Sequence, residues 1–194
     1  LPYALGRFFQ HNATICSVQP SWRDRSELLG YYNDFTHKFT ETEFLRAVYE
    51  ATYRDDINLI VLDEMNLARI EYYFAEFLSI MEMPNVAEWN INLVAAPQPN
   101  DPKHIKDGRL LIPQNIWFVG TANNDDSTFT ITDKVYDRAM SLFFDNKGIA
   151  FQAPFTESLP LPFDYLIKLY QNAMQDYPLL AKTLEKFQAL DTFV

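Results

Sequence analysis

The stretch Asn58-Leu59-Ile60-Val61-Leu62-Asp63-Glu64 constrains this chain more than any other. A run of β-branched and aliphatic residues too short for a free-standing helix reads as a strand buried on both faces, as in a parallel sheet under helices. The strand ends in two carboxylates. In open α/β sheets ligands collect beyond the carboxyl ends of the strands, so Asp63 and Glu64 fall where a site would form. The first acid suits the shell of a Mg2+ ion, and the second can orient or deprotonate a water. A plainer reading leaves both acids solubilising a strand end, and the rest of the chain decides between the two.

Helices and strands alternate around this stretch. Residues 1–9 read as a helix, 14–18 as a strand leaving through Gln19-Pro20, and 21–32 as a loop and short helix stopped at Gly30. Phe44, Leu45, Val48 and Ala51 share one face of a helix over 41–51, with Thr40 the expected N-cap and Glu43 three residues on. After Glu64, Ile70, Phe74, Phe77, Leu78 and Met81 make an apolar stripe along one helix over 70–82. Residues 91–112 read as a long inserted hairpin, with the turn-forming Asp107-Gly108 near its end. A second buried strand over 115–121 ends in the polar tip Ala122-Asn123-Asn124-Asp125-Asp126-Ser127, expected on the same sheet edge as Asp63. A short helix over 132–139 carries Arg138, 140–144 reads as a third strand, and a proline-rich joint over 154–162 leads to amphipathic helices over 163–174 and 179–190. Helix and strand in alternation imply a parallel α/β sheet.

Composition narrows the partners. The 194 residues are 48% hydrophobic and 15% aromatic, enough for one sizeable core with room for a small second lobe. A net charge of -10 repels phosphate backbones, so any DNA contact would come through other domains or the locally basic hairpin with Lys103, His104, Lys106 and Arg109. Four basic residues in a loop are more often a solvated tip. The single cysteine, Cys16, sits in an apolar run and reads as a core residue, which suits a reducing cytoplasm. No apolar run approaches the roughly 18 residues that span a bilayer, so no membrane partner is expected. His11, His37 and His104 lack companions at metal-ligand spacing, so no transition-metal site is expected. The chain opens at Leu1 in what reads as a helix already under way and stops at Val194 while still apolar, which reads as an internal fragment.

Four separated features keep a fixed order: Asp63-Glu64 at a strand end, the inserted hairpin, a strand ending Gly120-Thr121-Ala122-Asn123, and Asp137-Arg138 one short helix later. This order resembles that of AAA+ ATPases, and the first feature looks like their Walker B motif. The wordings Leu-Asp-Glu-Met-Asn-Leu-Ala-Arg, Ile-Pro-Gln-Asn-Ile-Trp-Phe-Val-Gly-Thr-Ala-Asn and Asp-Lys-Val-Tyr-Asp-Arg-Ala are most similar to the McrB-like branch. That branch includes the NTP-driven motor of methylcytosine-dependent restriction systems, with MoxR-type and dynein-related ATPases as wider relatives. The similarity covers residues 1–151.

The resemblance implies a three-layer α/β P-loop NTPase core over 1–153 and the start of a helical lid over 154–194. Asp63 would help hold Mg2+, usually through water, and Glu64 would polarise the attacking water. Asn123 would match sensor 1, reaching the γ-phosphate or that water, although an Asn-Asp turn also favours asparagine there. Arg138 would match an arginine finger reaching a neighbouring subunit's nucleotide, or else be a surface arginine paired with Asp137 or Asp133. Arg69 would face a neighbour or a pore, or be a helix-start surface charge. The cofactors implied are Mg2+ with ATP or GTP, and the partners a homo-oligomeric ring and a nuclease or other effector subunit. One departure is plain: no Gly-x-x-x-x-Gly-Lys-Ser/Thr occurs in the chain. The resemblance places that P-loop and its strand upstream, the strand lying between those that end at Asp63 and Asn123. A MoxR-like chaperone and a non-hydrolysing AAA+-like scaffold are the alternative functions.

Overall fold

A computed structural model describes residues 2–95, 101–123, 125, 127–144, 152 and 154–191. Two compact units divide the chain, Leu1–Pro160 and Leu161–Val194. The first runs α1 (Pro2–Phe8), β1 (Thr14–Ser17), α2 (Ser26–Leu29), β2 (Tyr31–Asn33), β3 (Lys38–Thr40), α3 (Glu43–Ala51), β4 (Asn58–Asp63), α4 (Ile70–Tyr73) and α5 (Ala75–Ile80). It continues through β5 (Asn90–Asn92), β6 (Ile105–Lys106), β7 (Arg109–Leu111), β8 (Ile116–Gly120) and α6 (Asp133–Tyr136). The second unit holds α7 (Phe163–Asp176) and α8 (Ala181–Asp191). No helix among the described residues is long and apolar enough to cross a membrane.

The fold is mixed α/β, built on a three-stranded parallel sheet ordered β1-β4-β8. Leu59, Ile60, Val61 and Leu62 are buried, as a central strand covered on both faces requires. Neighbouring residues of a strand point to opposite faces, and β8 shows what lies over each. Trp117 meets Phe9, just after α1, edge-on at 5.7 Å. Phe118, on the other face, lies 5.7 Å from Phe44 of α3 and 5.5 Å from both Phe74 and Phe77 of the α4–α5 segment. Helical segments therefore cover both faces. At the amino end of the strands, Asn115 is buried and donates to the carbonyls of Ala51, Arg54 and Asp56, tying the start of β8 to the turn that feeds β4.

Several expectations need correction. β4 and β8 are direct neighbours in register from Asn58↔Ile116 to Leu62↔Gly120, so no strand lies between those ending at Asp63 and Asn123. Hydrogen-bonded strands sit under 5 Å apart, which leaves a further strand only an outer edge. Residues 140–144 form no strand; they are unpaired, with Met140 92% and Phe144 79% exposed. The helix expected over 70–82 breaks at Phe74, whose backbone (φ -113, ψ 1) separates α4 from α5. The cap of α3 is Thr42, whose Oγ1 accepts from the Leu45 amide at 3.1 Å, because Thr40 is held in β3 opposite Tyr31. The β2–β3 hairpin lies over 31–40, and only Tyr31 and Tyr32 of it fall in the segment read as a loop and short helix. The inserted hairpin pairs Ile91 with Leu110 but carries an extra strand, in the order β5-β7-β6. Asp107 (φ 52) and Gly108 (φ 72) turn β6 into β7, a pair of positive φ values that suits Asp-Gly.

Candidate active site

Because β1, β4 and β8 are parallel, their carboxyl ends share one edge of the sheet. Asp63 closes β4 there, half-buried, and Glu64 follows it into solvent. Glu64 has a left-handed backbone (φ 53, ψ 48), unfavourable for a residue with a Cβ. Surrounding hydrogen bonds over-determine it. Its amide donates to Thr121 Oγ1 at 2.8 Å, the Met65 amide donates to the Thr121 carbonyl at 2.8 Å, and the Leu67 amide donates back to the Glu64 carbonyl at 2.9 Å. The chain thus leaves the strand in a sharp turn that exposes the second carboxylate.

Three of the expected site residues come together here. Asn123 Nδ2 donates to Glu64 Oε1 at 3.4 Å, and Thr121 Oγ1 donates to Asp63 Oδ1 at 2.7 Å. Asn123 stays exposed at this edge, as Glu64 does. Arg138 is elsewhere engaged: its guanidinium pairs with Glu82 at 2.5 Å and donates to the Lys134 carbonyl at 2.6 Å. The neighbouring acids Asp133 and Asp137 are not its ion-pair partners. Arg69 lies 5.1 Å over the Phe129 ring and 5.9 Å over that of Tyr72. Of the basic hairpin, Lys103, Lys106 and Arg109 are exposed, whereas His104 packs on the turn that follows α3: it stacks on Tyr53 at 4.0 Å, and its Nδ1 lies 2.6 Å from Thr52 Oγ1.

Asn66, to which the sequence alone assigns no role, ties the loop after β8 to the turn after β4. It is 4% exposed; Nδ2 donates to the carbonyls of Asn123 (2.7 Å) and Phe129 (3.2 Å), and Oδ1 accepts from the Asn123 amide at 3.3 Å. An asparagine amide can satisfy donors and acceptors at once, which is why it can hold a loop from both directions. Glu71 closes the same loop by accepting from the Thr132 hydroxyl (2.6 Å) and amide (3.3 Å). Partial burial alone would raise its pKa, but the hydrogen bonds from Thr132 and from a backbone amide, with the charge of Arg69, together outweigh it and hold the carboxyl below its ordinary value. The hydroxyl and amide of Ser127 likewise lower Asp125. Cys16, by contrast, is pushed up to about 11 by burial and, less, by Glu43, so it carries no reactive thiolate.

The donor set fits a hard cation. Thr121 occupies one oxygen of Asp63 and leaves the other for a metal ion or its water. Among the described residues no cluster of three or more His, Cys, Asp or Glu gathers that could hold a metal alone. Mg2+ is held by one or two carboxylates with water and substrate phosphates, so Asp63 beside Glu64 supplies a donor set of that type. No known protein-family model matches this chain, and no curated protein does either.

Proposed function

We propose that the chain is part of a nucleoside-triphosphate-hydrolysing module of the AAA+ type, McrB-like in its motifs. The observation that carries the reading is the convergence of Asp63, Glu64 and Asn123 at the carboxyl edge of one parallel sheet, with Asn123 Nδ2 3.4 Å from Glu64 Oε1. Glu64, exposed and held in a fixed turn, accepts the proton of a water and aims it at a terminal phosphate. Asn123 donates one amide hydrogen to Glu64 and keeps the other for that water or a phosphate oxygen. Asp63 offers its free oxygen to Mg2+ or its water. When bound, Mg2+ neutralises charge building on the phosphates.

Arg138 acts on a neighbouring subunit's nucleotide in a ring, after leaving Glu82. The reading also needs a phosphate-gripping Gly-Lys-Ser/Thr segment, which these 194 residues do not contain, and the lack of such a segment from the full-length protein would favour the scaffold alternative. The partner moved, whether a nuclease subunit or a chaperone client, would be separated by what co-purifies with the ring.

The decisive experiment is Mg2+-dependent ATP and GTP hydrolysis by the full-length protein beside a Glu64→Gln variant. Turnover should fall at least about 100-fold, the lower end of what a positioned general base contributes, while nucleotide binding persists. No turnover by the wild type with either nucleotide, from a folded oligomer with candidate partners supplied, would sink the enzyme reading.

A further inference from the structure

Thr121 was legible only as the last residue of a buried strand, yet its hydroxyl touches both acids of the site. It accepts from the Glu64 amide at 2.8 Å and donates to Asp63 Oδ1 at 2.7 Å. The two partners fix the polarity of both contacts. A backbone N–H can only donate, so it takes a lone pair of Oγ1, and a carboxylate oxygen accepts, so the hydroxyl gives it its single hydrogen. That hydrogen goes to Asp63. Oδ1 is thereby occupied, the carboxylate plane is set, and Oδ2 is the oxygen left to face a cation or its water. The same hydroxyl is anchored from behind, since the Thr121 amide donates to the Leu62 carbonyl at 3.0 Å and its carbonyl accepts from the Met65 amide at 2.8 Å.

We infer that Thr121 is a positioning residue for the divalent cation: it orients the Asp63 carboxylate and thereby sets how tightly the site holds the metal. This rests on the hydrolase reading for the identity of the ligand, Mg2+ with a nucleoside triphosphate. Asp63 and Glu64 bind and react; Thr121 acts through them. Hydrogen-bond partners behind a metal ligand typically contribute roughly 10- to 100-fold to metal affinity.

Mn2+ serves as the probe, with bound metal measured by electron paramagnetic resonance on the full-length protein with ATP or GTP, beside Thr121→Val and Thr121→Ser. The valine variant removes the hydroxyl at nearly constant shape, and the serine variant restores it. Thr121→Val should raise the half-saturating Mn2+ concentration roughly 10-fold or more, with metal-free nucleotide binding in EDTA unchanged, and turnover should recover as metal is raised. Thr121→Ser should return close to wild type. Wild-type metal dependence in Thr121→Val, or loss of metal-free nucleotide binding and of thermal stability in parallel in both variants, would overturn the inference. If the wild type binds Mn2+ with the expected Thr121 dependence but never turns over, the hydrolase reading fails and the positioning role stands. A wild type that holds no Mn2+ with either nucleotide overturns both.

Discussion

At Glu64 the backbone and the chemistry pull in different directions. A left-handed conformation costs a residue with a Cβ on the order of 1 kcal/mol, and glycine almost nothing. The position carries glutamate nonetheless, with its carboxylate exposed beside the Asn123 amide. Replacing Glu64 with glycine should therefore leave thermal stability unchanged or raised by up to about 1 kcal/mol while abolishing turnover. Calorimetric melting of the variant checks this, and a clear loss of stability would show that the side chain holds the turn rather than straining it. Sequence reading found the acids because two carboxylates closing an apolar run are conspicuous. It passed over Thr121 and Asn66 because their importance lies in partners 58 and 57 positions away along the chain. A threonine after Val119-Gly120, or an asparagine in a connector, carries no local sign that a distant acid or loop will be brought against it.

Among the elements, α3 links the core to the strand that bears the acids. Its apolar face was readable from Phe44, Leu45, Val48 and Ala51, all buried as the helical period demands. Its start was not. Thr40 reads as the cap from its place before Glu43, but the β2–β3 hairpin claims it for a strand and leaves Thr42 to cap the helix. That hairpin has its own local chemistry, since Asn33 Oδ1 accepts the amides of Phe35 (3.0 Å) and Thr36 (3.1 Å) to close the turn. Thr42 also donates to the Leu28 carbonyl, so one hydroxyl caps α3 and ties it to α2. Thr42→Ala should cost about 1–2 kcal/mol, the upper part of the range for a lost cap, whereas Thr40→Ala should cost under about 0.5 kcal/mol as an exposed strand position. Urea unfolding of the two variants separates them, and equal losses would contradict the assignment of the cap.

On the scale of the whole molecule, the reading of a parallel α/β sheet holds, but the third strand expected over 140–144 does not form: a strand needs a neighbour's backbone to pair with, and this segment pairs with none among the described residues. Residues 140–144 consequently expose Met140 (92%), Leu142 (63%), Phe143 (73%) and Phe144 (79%), with Tyr136 tilted against Phe143 at 6.5 Å. An exposed apolar stretch of this kind favours contact between copies. Opposing it is the net charge of -10, which keeps copies apart near neutral pH but vanishes near the isoelectric point of 4.7. The 194-residue chain should therefore become increasingly self-associated as pH is lowered from neutral toward 4.7 and as salt is raised at neutral pH. Light scattering on a sizing column measures it. Leu142→Lys with Phe143→Glu adds charges of both signs at the patch and leaves the net charge at -10, so a suppression of association by this pair identifies the exposed segment as the contact. Association that persists unchanged would place the contact elsewhere on the surface, among the other exposed apolar residues such as Phe35, Phe155 and Leu180.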